Sequence, residues 1–454
     1  MMKLESVRSF SRALGAVGAL AVAGAGSLAA QRRPTNPPRI APASTPVAGD
    51  IDRRVAAVLP KVVDWRRDFH QHPELSWQET RTAGIVAAHL KALGLEVRTG
   101  VGGTGVVGVL RGGKPGSVVA LRADMDALPV TEESDLPFKS TVRATYNGQE
   151  TGVMHACGHD MHVAMLMGAA EVLAGMKADL PGTVVFLFQP AEETGGEASG
   201  AAAMIAAGAL ANPTPNAVFG LHVFSNYPVN AVVTRPGGLM ASSDILSIVV
   251  RGRQTHGALP WGGVDPIVAA SQVVLGLQTV VSRQVELTRS PAVVTIGSMH
   301  GGIRFNIIPD SVAMSGTIRA FDGNQQTLIH ERVTRTAEQI AASAGATATV
   351  RIERGNPVTY NDPALYERMR PTLQRVAPSG RDSIGDPTTT AEDFSRYQQK
   401  VPGLFIFLGI TPPGTDPAKI ASNHSPRFFA DEAALPTGVK LLSSLAVDYL
   451  NGAR

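Results

Sequence analysis

Short runs of consecutive apolar residues alternate with longer segments of helical spacing along most of the chain. Residues 78–93 and 161–176 carry apolar residues at helical spacing. Four short runs lie close to glycine or proline and have the length of strands buried on both faces: 106–110, 118–121, 184–188 and 404–408. This alternation predicts an α/β sandwich in which a sheet is buried between helices.

The segment 238–353 follows a different order of elements, and this order predicts an inserted second domain. Its hydrophobic pattern predicts a strand, a helix, two strands, a helix and a strand, at 244–250, 265–281, 292–298, 312–320, 325–342 and 347–352. Such a βαββαβ order is typical of a small, ferredoxin-like four-stranded sheet with two helices on one face. The first domain would then be formed by residues 51–237 together with 354–454.

The N-terminal residues resemble an export signal. Lys3, Arg8 and Arg12 precede an uncharged run of 17 residues, 14–30, which ends in the small residues Ser-Leu-Ala-Ala. A membrane span needs about 20 predominantly apolar residues, so a retained anchor is the alternative. Residues 31–50 contain five prolines and predict a linker. We therefore expect a signal peptide at 1–30 and a periplasmic or secreted mature protein that does not stay at the membrane.

The composition indicates a globular protein and limits the classes of partner that it is expected to bind. The 454 residues exceed the roughly 150 residues of one average domain, and 44% of them are hydrophobic against 17% charged, which excludes a disordered chain. The net charge of +3 is spread without a basic run, so nucleic acid is not expected as a partner. Cys157 is the single cysteine, which excludes an internal disulfide and a zinc site of several thiolates.

The strongest chemical signal lies at 154–162, Met-His-Ala-Cys-Gly-His-Asp-Met-His. Cys157 and His159, two residues apart, can turn toward the same side of an extended loop. Thiolate and imidazole are good ligands for zinc-like ions. The alternative is that Cys157 is a small buried hydrophobic residue and that the histidines are polar residues at the start of a helix.

Paired carboxylates follow two of the predicted strands. Glu192 and Glu193 follow the run 184–188, at the end of a strand where open α/β sheets place their sites. One could bind a metal while the other acts as a general base. Asp124 and Asp126 follow the run 118–121 and could be ligands or could accept the N–H of a ligand imidazole. An acidic loop and a turn-forming Asp pair are the alternatives.

Three isolated histidines complete the candidates. His222 follows the strand-like segment 217–221, His424 lies in a turn-rich loop, and His256 lies in a loop of the inserted segment. Taken singly, each is more often a surface histidine than a functional one. Together with the two clusters above, they become candidates for a metal site.

These motifs resemble the amidohydrolase branch of the aminoacylase and carboxypeptidase family of two-metal hydrolases. Hippurate hydrolases, N-acyl-amino-acid amidohydrolases and auxin-conjugate hydrolases belong to this branch. The similarity covers the chain from about Asp52 onward and rests on the motifs at 67–75, 122–129, 155–160, 189–193, 306–310 and 424–428. The resemblance implies a mixed-sheet α/β catalytic domain of zinc-exopeptidase type with an inserted lid or dimerisation domain.

The resemblance also implies roles for individual residues. It implies two divalent ions per subunit, with Zn²⁺ favoured by a thiolate ligand and Mn²⁺ or Co²⁺ as alternatives. Glu192 would be the general base, Asp126 would orient a ligand, and His256 would stabilise the transition state from the lid, often across a homodimer. The implied metal ligands are Cys157, His159, Glu193, His222 and His424.

The reaction implied is hydrolysis of the amide bond of N-acyl amino acids or small dipeptides. Arg304 and Asn306, or Arg354 with Asn356, could bind the free carboxylate of such a substrate. A cysteine hydrolase that uses Cys157 as nucleophile and a non-catalytic binding protein are the alternatives. The cysteine hydrolase would leave the paired glutamates and the two distant histidines without a role.

Overall fold

The helices and strands are taken from a computed structural model, which describes residues 46–288, 290–377, 383–416 and 419–452. The predicted signal peptide and most of the predicted linker lie outside these residues. The helices are α1 (Pro46–Gln71), α2 (Thr80–Ala92), α3 (His159–Ala174), α4 (Gly200–Ala206), α5 (Pro266–Gln284), α6 (Gly323–Ser343), α7 (Pro363–Val376), α8 (Phe394–Gln398) and α9 (Leu435–Leu450). Helix α1 thus begins inside the segment that the prolines predict as linker.

The strands fall into one large sheet, one four-stranded sheet and three small pairs. They are β1 (Glu96–Thr99), β2 (Val106–Arg111), β3 (Lys114–Asp124), β4 (Arg143–Tyr146), β5 (Gln149–Gly152), β6 (Pro181–Gln189), β7 (Ala217–Pro228), β8 (Val232–Thr234), β9 (Gly237–Met240), β10 (Asp244–Arg251), β11 (Thr255–His256), β12 (Ala292–His300), β13 (Ile307–Ile308), β14 (Ser311–Ala320), β15 (Thr347–Arg354), β16 (Thr359–Asn361), β17 (Ser383–Ile384) and β18 (Gly403–Thr411).

The large sheet is mixed, as predicted for the catalytic domain. Its eight strands run in the order β1-β2-β6-β3-β7-β18-β8-β17. Strands β6, β3, β7 and β18 are parallel neighbours, whereas β1, β2 and β8 pair antiparallel. All four predicted apolar runs lie in this sheet, and β18 is buried along its whole length. The prediction of an α/β sandwich with a central sheet is confirmed.

Helices cover both faces of the large sheet. Helices α1, α3 and α9 pack together over one face, where Val62, Met165 and Val439 belong to the same core. Helices α4 and α8 lie on the other face, with Met204 and Phe394 in a second core. Nearly every residue of α3 is buried, which explains why its sequence after His162 is apolar at every position except Glu171. No helix among the described residues is long and apolar enough to cross a membrane.

The second sheet has four antiparallel strands in the order β12-β14-β10-β15. Alternate residues of β10 point into a separate core that α5 and α6 cover, with Ile248, Val273 and Ile329 fully buried. Asp265 caps α5 and Asp322 caps α6 through side-chain bonds to backbone N–H groups. The use of this unit as a lid or a dimerisation surface stays a prediction.

Candidate metal centre

The candidate residues meet at one edge of the large sheet because β3, β6 and β7 are parallel neighbours. The carboxyl ends of parallel strands lie at the same edge. Strand β3 ends at Asp124, Glu192 and Glu193 follow β6, and His222 lies in β7. The loop before α3 and the loop after β18 complete the site with Cys157 and His424.

A close approach between the loop before α3 and strand β7 brings Cys157 to His222. Gly158 has φ of 89°, and a Cβ placed on it would lie 2.3 Å from a methyl carbon of Val223. Only glycine tolerates both the backbone conformation and the contact. As a result, Cys157 Sγ lies 3.4 Å from His222 Nε2.

The five residues with predicted ligand roles converge in this structure. Glu193 Oε1 lies 3.3 Å from His424 Nε2 and 4.0 Å from His159 Nε2. The ligand atoms of Cys157, Glu193 and His424 lie within 4.8 Å of one another, and so do those of His159, Glu192 and Glu193. Glu193 therefore joins two overlapping groups of potential metal ligands.

The unsatisfied atoms of the cluster indicate a divalent cation. His159 Nε2 and Glu193 Oε1 are buried and make no hydrogen bond with any described residue. Buried polar atoms almost always have a hydrogen-bond partner or a bound ion. These two atoms are therefore available to bind a cation. A thiolate, imidazoles and a carboxylate form the ligand set that zinc-like ions prefer. The residues present thus fit divalent metal ions.

Hydrogen bonds behind the cluster orient its imidazoles. His159 Nδ1 donates to the backbone O of Asp126 at 2.8 Å, and an Oδ atom of the same aspartate lies 3.3 Å away. The other Oδ atom accepts from Ser76 Oγ at 2.6 Å and from the backbone N of Glu193 at 3.0 Å. His222 Nδ1 donates to the backbone O of Val223 at 2.7 Å. Both imidazoles therefore turn Nε2 toward the cluster.

A second set of buried carboxylates surrounds Arg122. Its guanidinium contacts Asp124 Oδ2 at 2.6 Å, Asp393 Oδ1 at 2.8 Å and Glu392 Oε1 at 2.9 Å. Sequence reasoning missed Glu392 and Asp393. The adjacent acidic residues are visible in the sequence, but no strand precedes them, and only the fold brings them beneath Glu192.

Burial and neighbouring charges change the acidity of this region. Burial, Glu392 and Glu193 raise the pKa of Glu192 well above its usual range, and burial raises the pKa of Glu392 to about 8. The nearby Cys157 thiol and Glu193 carboxylate raise the pKa of His424 to about 10. A carboxylate with a raised pKa accepts a proton more readily, and the negative charge concentrated here attracts a cation.

An open cavity of about 580 Å³ lies over the cluster. The large sheet contributes the cluster itself, and the region around the smaller sheet contributes Arg319, Ser243 and Asn356. Arg319 is the only arginine or lysine among the described residues that line it, and its guanidinium makes no hydrogen bond to them. Asn356 is buried, and its Oδ1 has no partner among them either. The sequence offered no signal for Arg319, which occupies an ordinary position in β14.

Four residues predicted to contact the substrate or the transition state do not line this cavity. His256 is exposed on β11, where its Nδ1 accepts from the backbone N of Ala258 at 3.0 Å. Arg304 is exposed, and the backbone O of Asn306 accepts from a neighbouring loop. Arg354 donates to two side chains of α6 and lines a separate cavity of about 370 Å³. Their predicted roles with the substrate and the transition state stay predictions.

Comparisons with known proteins agree with this geometry. Residues 120–448 match the model of peptidase family M20/M25/M40. Thermostable carboxypeptidase 2 of Saccharolobus solfataricus is 40% identical over 408 residues, which cover 88% of this chain and all of that protein. N-acetylcysteine deacetylase of Bacillus subtilis is 38% identical over 392 residues, 86% of this chain and 97% of that protein. The crystal structure of a dinuclear metal-binding M20 peptidase from Bacillus subtilis has a TM-score of 0.74 and 36% identity, covering 87% of this chain and 99% of that one.

Proposed function

Because the chain belongs to peptidase family M20/M25/M40, we propose that it hydrolyses the amide bond of N-acyl amino acids and small dipeptides with the help of two divalent metal ions. One observation carries this proposal above the others. The thiol, three imidazoles and one carboxylate of the cluster converge beside Glu192, a second buried carboxylate with an oxygen within 4.8 Å of ligand atoms of His159 and Glu193. A metal site next to a free base is what such a hydrolysis requires.

Glu192 is the proposed general base and acid. When bound, two divalent ions, with zinc favoured by the thiolate, would polarise the amide carbonyl and acidify a water molecule. Glu192 would take the proton from that water and deliver it to the leaving nitrogen. Its burial and its carboxylate neighbours raise its pKa, which suits a group that must hold a proton between these two steps.

Arg319 is the proposed partner of the substrate carboxylate. It brings the one guanidinium among the described residues that line the cavity over the cluster. N-acetylcysteine, which the Bacillus subtilis relative is named for, carries a free carboxylate next to its amide. A guanidinium binds a carboxylate through two parallel hydrogen bonds, so the substrate amide would be held over the ligands. Asn356 Oδ1, buried and without a partner, is available for a substrate N–H.

His256 is proposed to act from a second subunit or after closure of the smaller unit. In a single chain it is exposed and outside the cavity. A homodimer through the unit that carries it would allow one chain to complete the site of the other. Its imidazole would donate to the oxyanion as it forms, which is where a positioned donor contributes most.

The acidity of Cys157 speaks against a cysteine hydrolase. Both ring nitrogens of His155 are buried and make no hydrogen bond to any described residue, whereas His222 Nε2 lies 3.4 Å from Cys157 Sγ. Burial and the charge of Glu193 raise the pKa of the Cys157 thiol, whereas a nucleophilic cysteine needs a lowered one.

The proposal is tested by metal removal combined with two glutamine variants. Chelation should abolish hydrolysis of N-acetyl and N-benzoyl amino acids, and Zn²⁺, Co²⁺ or Mn²⁺ should restore it. Glu192→Gln should keep its metal and lose at least about a hundredfold in kcat, whereas Glu193→Gln should lose metal. Full activity in verified metal-free protein, or an active Glu192→Gln variant with normal metal content, would refute the mechanism.

A further inference from the structure

The loop that carries His424 needs support from its surroundings. The His424 side chain is 55% exposed, and its backbone has φ of 72°. This left-handed conformation is strained for a residue other than glycine and persists only where neighbouring contacts fix it. One such contact is the hydrogen bond from the backbone N of His424 to the O of Ala156 at 2.8 Å.

Asn423, the residue before His424, supplies further contacts. Its Nδ2 donates to the backbone O of Cys157 and to that of Val223, both at 3.1 Å, and lies 3.9 Å from Cys157 Sγ. Its Oδ1 accepts from the backbone N of Ser225 at 3.2 Å. Because carbonyls face Nδ2 and an N–H faces Oδ1, only this orientation of the amide satisfies all of these groups.

These bonds join the three segments that carry Cys157, His222 and His424. The carbonyl of Val223 accepts both from Asn423 and from the Nδ1 of His222, at 2.7 Å. One amide therefore contacts the loop before α3 and the strand β7, and it lies next to the third ligand in the chain. No other side chain among the described residues bonds to the backbone of both Cys157 and Val223.

We propose that Asn423 is a positioning residue of the metal centre. It fixes the spacing of the three ligand-bearing segments, so that their ligand atoms meet in the right arrangement before the ions bind. The inference rests on the metal site of the proposed function and not on the identity of the substrate. A residue that only stabilised the loop would affect the melting temperature but not the geometry around the Cys157 sulfur.

The Asn423→Asp variant tests this role with almost no change of shape. It replaces the two N–H donors by a carboxylate oxygen that would face two carbonyls. We expect its Zn²⁺ affinity, measured by competition with a chromogenic chelator, to fall about 10- to 100-fold, as for other residues that orient metal ligands. Asn423→Ala, which adds no charge, should change the affinity in the same direction.

Cys157 offers a second readout that does not depend on activity. It is the only cysteine of the chain, so the thiolate-to-metal absorption of the Co²⁺-loaded protein reports on this one sulfur. The absorption should weaken or shift in both Asn423 variants. Asn451→Asp is the matched control, because Asn451 is exposed at the end of α9 and loses a comparable donor bond, to the backbone O of Val447 at 2.9 Å. It should match the wild type in both measurements.

Two results would overturn the proposal. The first is that Asn423→Asp and Asn423→Ala both keep the wild-type Zn²⁺ affinity and the wild-type cobalt absorption. The other is a lower melting temperature of the metal-free variants with unchanged cobalt absorption, which would assign Asn423 a purely structural role. If the metal-loaded wild type hydrolyses no N-acyl amino acid while Asn423→Asp still loses metal affinity, the proposed function fails and the positioning role stands.

Discussion

Replacing Arg122 by methionine tests how the carboxylates beneath the metal centre are held. The Arg122 guanidinium makes charge-assisted contacts of 2.6 to 2.9 Å with Asp124, Glu392 and Asp393. None of these four residues is more than 1% exposed. Methionine has a similar length but no charge, so the variant leaves three buried carboxylates without their common cation.

The expected loss of stability follows from this burial. Breaking a buried ion pair by removing one partner costs about 3–5 kcal/mol, because the other partner keeps its desolvation penalty. Three partners share this cation, but each can escape part of the penalty by taking up a proton, at about 1.4 kcal/mol per pKa unit. We therefore expect the free energy of unfolding to fall by about 3–5 kcal/mol near neutral pH, rather than by three times that amount.

The loss of stability in the Arg122→Met variant should increase with pH. The pKa values of Glu392 and Asp393 are raised even beside Arg122. Without its positive charge, the pKa values of all three carboxylates rise further, so the folded variant binds more protons than the folded wild type. Stability then decreases as the pH rises through the raised pKa values. The difference in stability between variant and wild type should therefore be smaller near pH 5 than near pH 8.

The loss of stability and its pH dependence are both measured by denaturant unfolding followed by circular dichroism. A chelator is present so that metal binding does not contribute. Arg67→Met is the control, because Arg67 also contacts a carboxylate, Glu432, but its side chain is 48% exposed. Its loss should stay within about 1 kcal/mol. An Arg122→Met protein as stable as this control, or a loss that is the same at both pH values, would refute the reasoning.

Further predictions address the site and the N-terminus. Gly158→Ala should lower metal content, measured by elemental analysis, because the new methyl group would collide with β7. Arg319→Met should raise KM for N-acetyl amino acids about 10- to 100-fold without affecting the matching substrate amides, and equal effects on both would exclude a carboxylate contact. His256→Ala should lower kcat about a hundredfold to a thousandfold at unchanged metal content, and mixing it with Glu192→Gln should regenerate activity if subunits share sites. Mass spectrometry should find a mature exported chain that begins near Gln31, whereas an intact embedded N-terminus would favour an anchor.

The fold could be predicted from the sequence because its signals are local. Each strand that is buried on both faces is a continuous apolar run, and α3 is almost entirely apolar after His162 because it is enclosed by α1, α9 and the sheet. Helix α5 spans Pro266–Gln284 where the pattern predicts 265–281. The difference lies at the ends, where caps and fraying decide the boundary and periodicity carries little information.

The candidate metal ligands were also accessible to sequence reasoning, whereas the proposed substrate contact of Arg319 was not. Four of the predicted ligands lie after a strand or in a motif of unusual residues, and His222 lies within β7 and not after its end as predicted. Arg319 gives no such signal, because its place in the cavity depends on where the smaller sheet lies above the larger one. Arg354 and Asn356 illustrate the limit. They are two residues apart at the end of β15, but Arg354 turns toward α6 while Asn356 lines the cavity, and the sequence cannot distinguish these directions.

The charge balance of the site links metal binding to the stability of the fold and to the pKa of the proposed base. Six buried or nearly buried carboxylates meet there, those of Asp124, Asp126, Glu192, Glu193, Glu392 and Asp393, and Arg122 is the only arginine among the described residues that forms ion pairs with them. One ion-paired guanidinium cannot compensate them, and burial together with the remaining repulsion raises the pKa values of Glu192 and Glu392. Divalent ions bound at the cluster would supply the missing positive charge. Binding would then stabilise the fold, and it would also lower the pKa of the neighbouring base toward the range in which it can accept a proton from water.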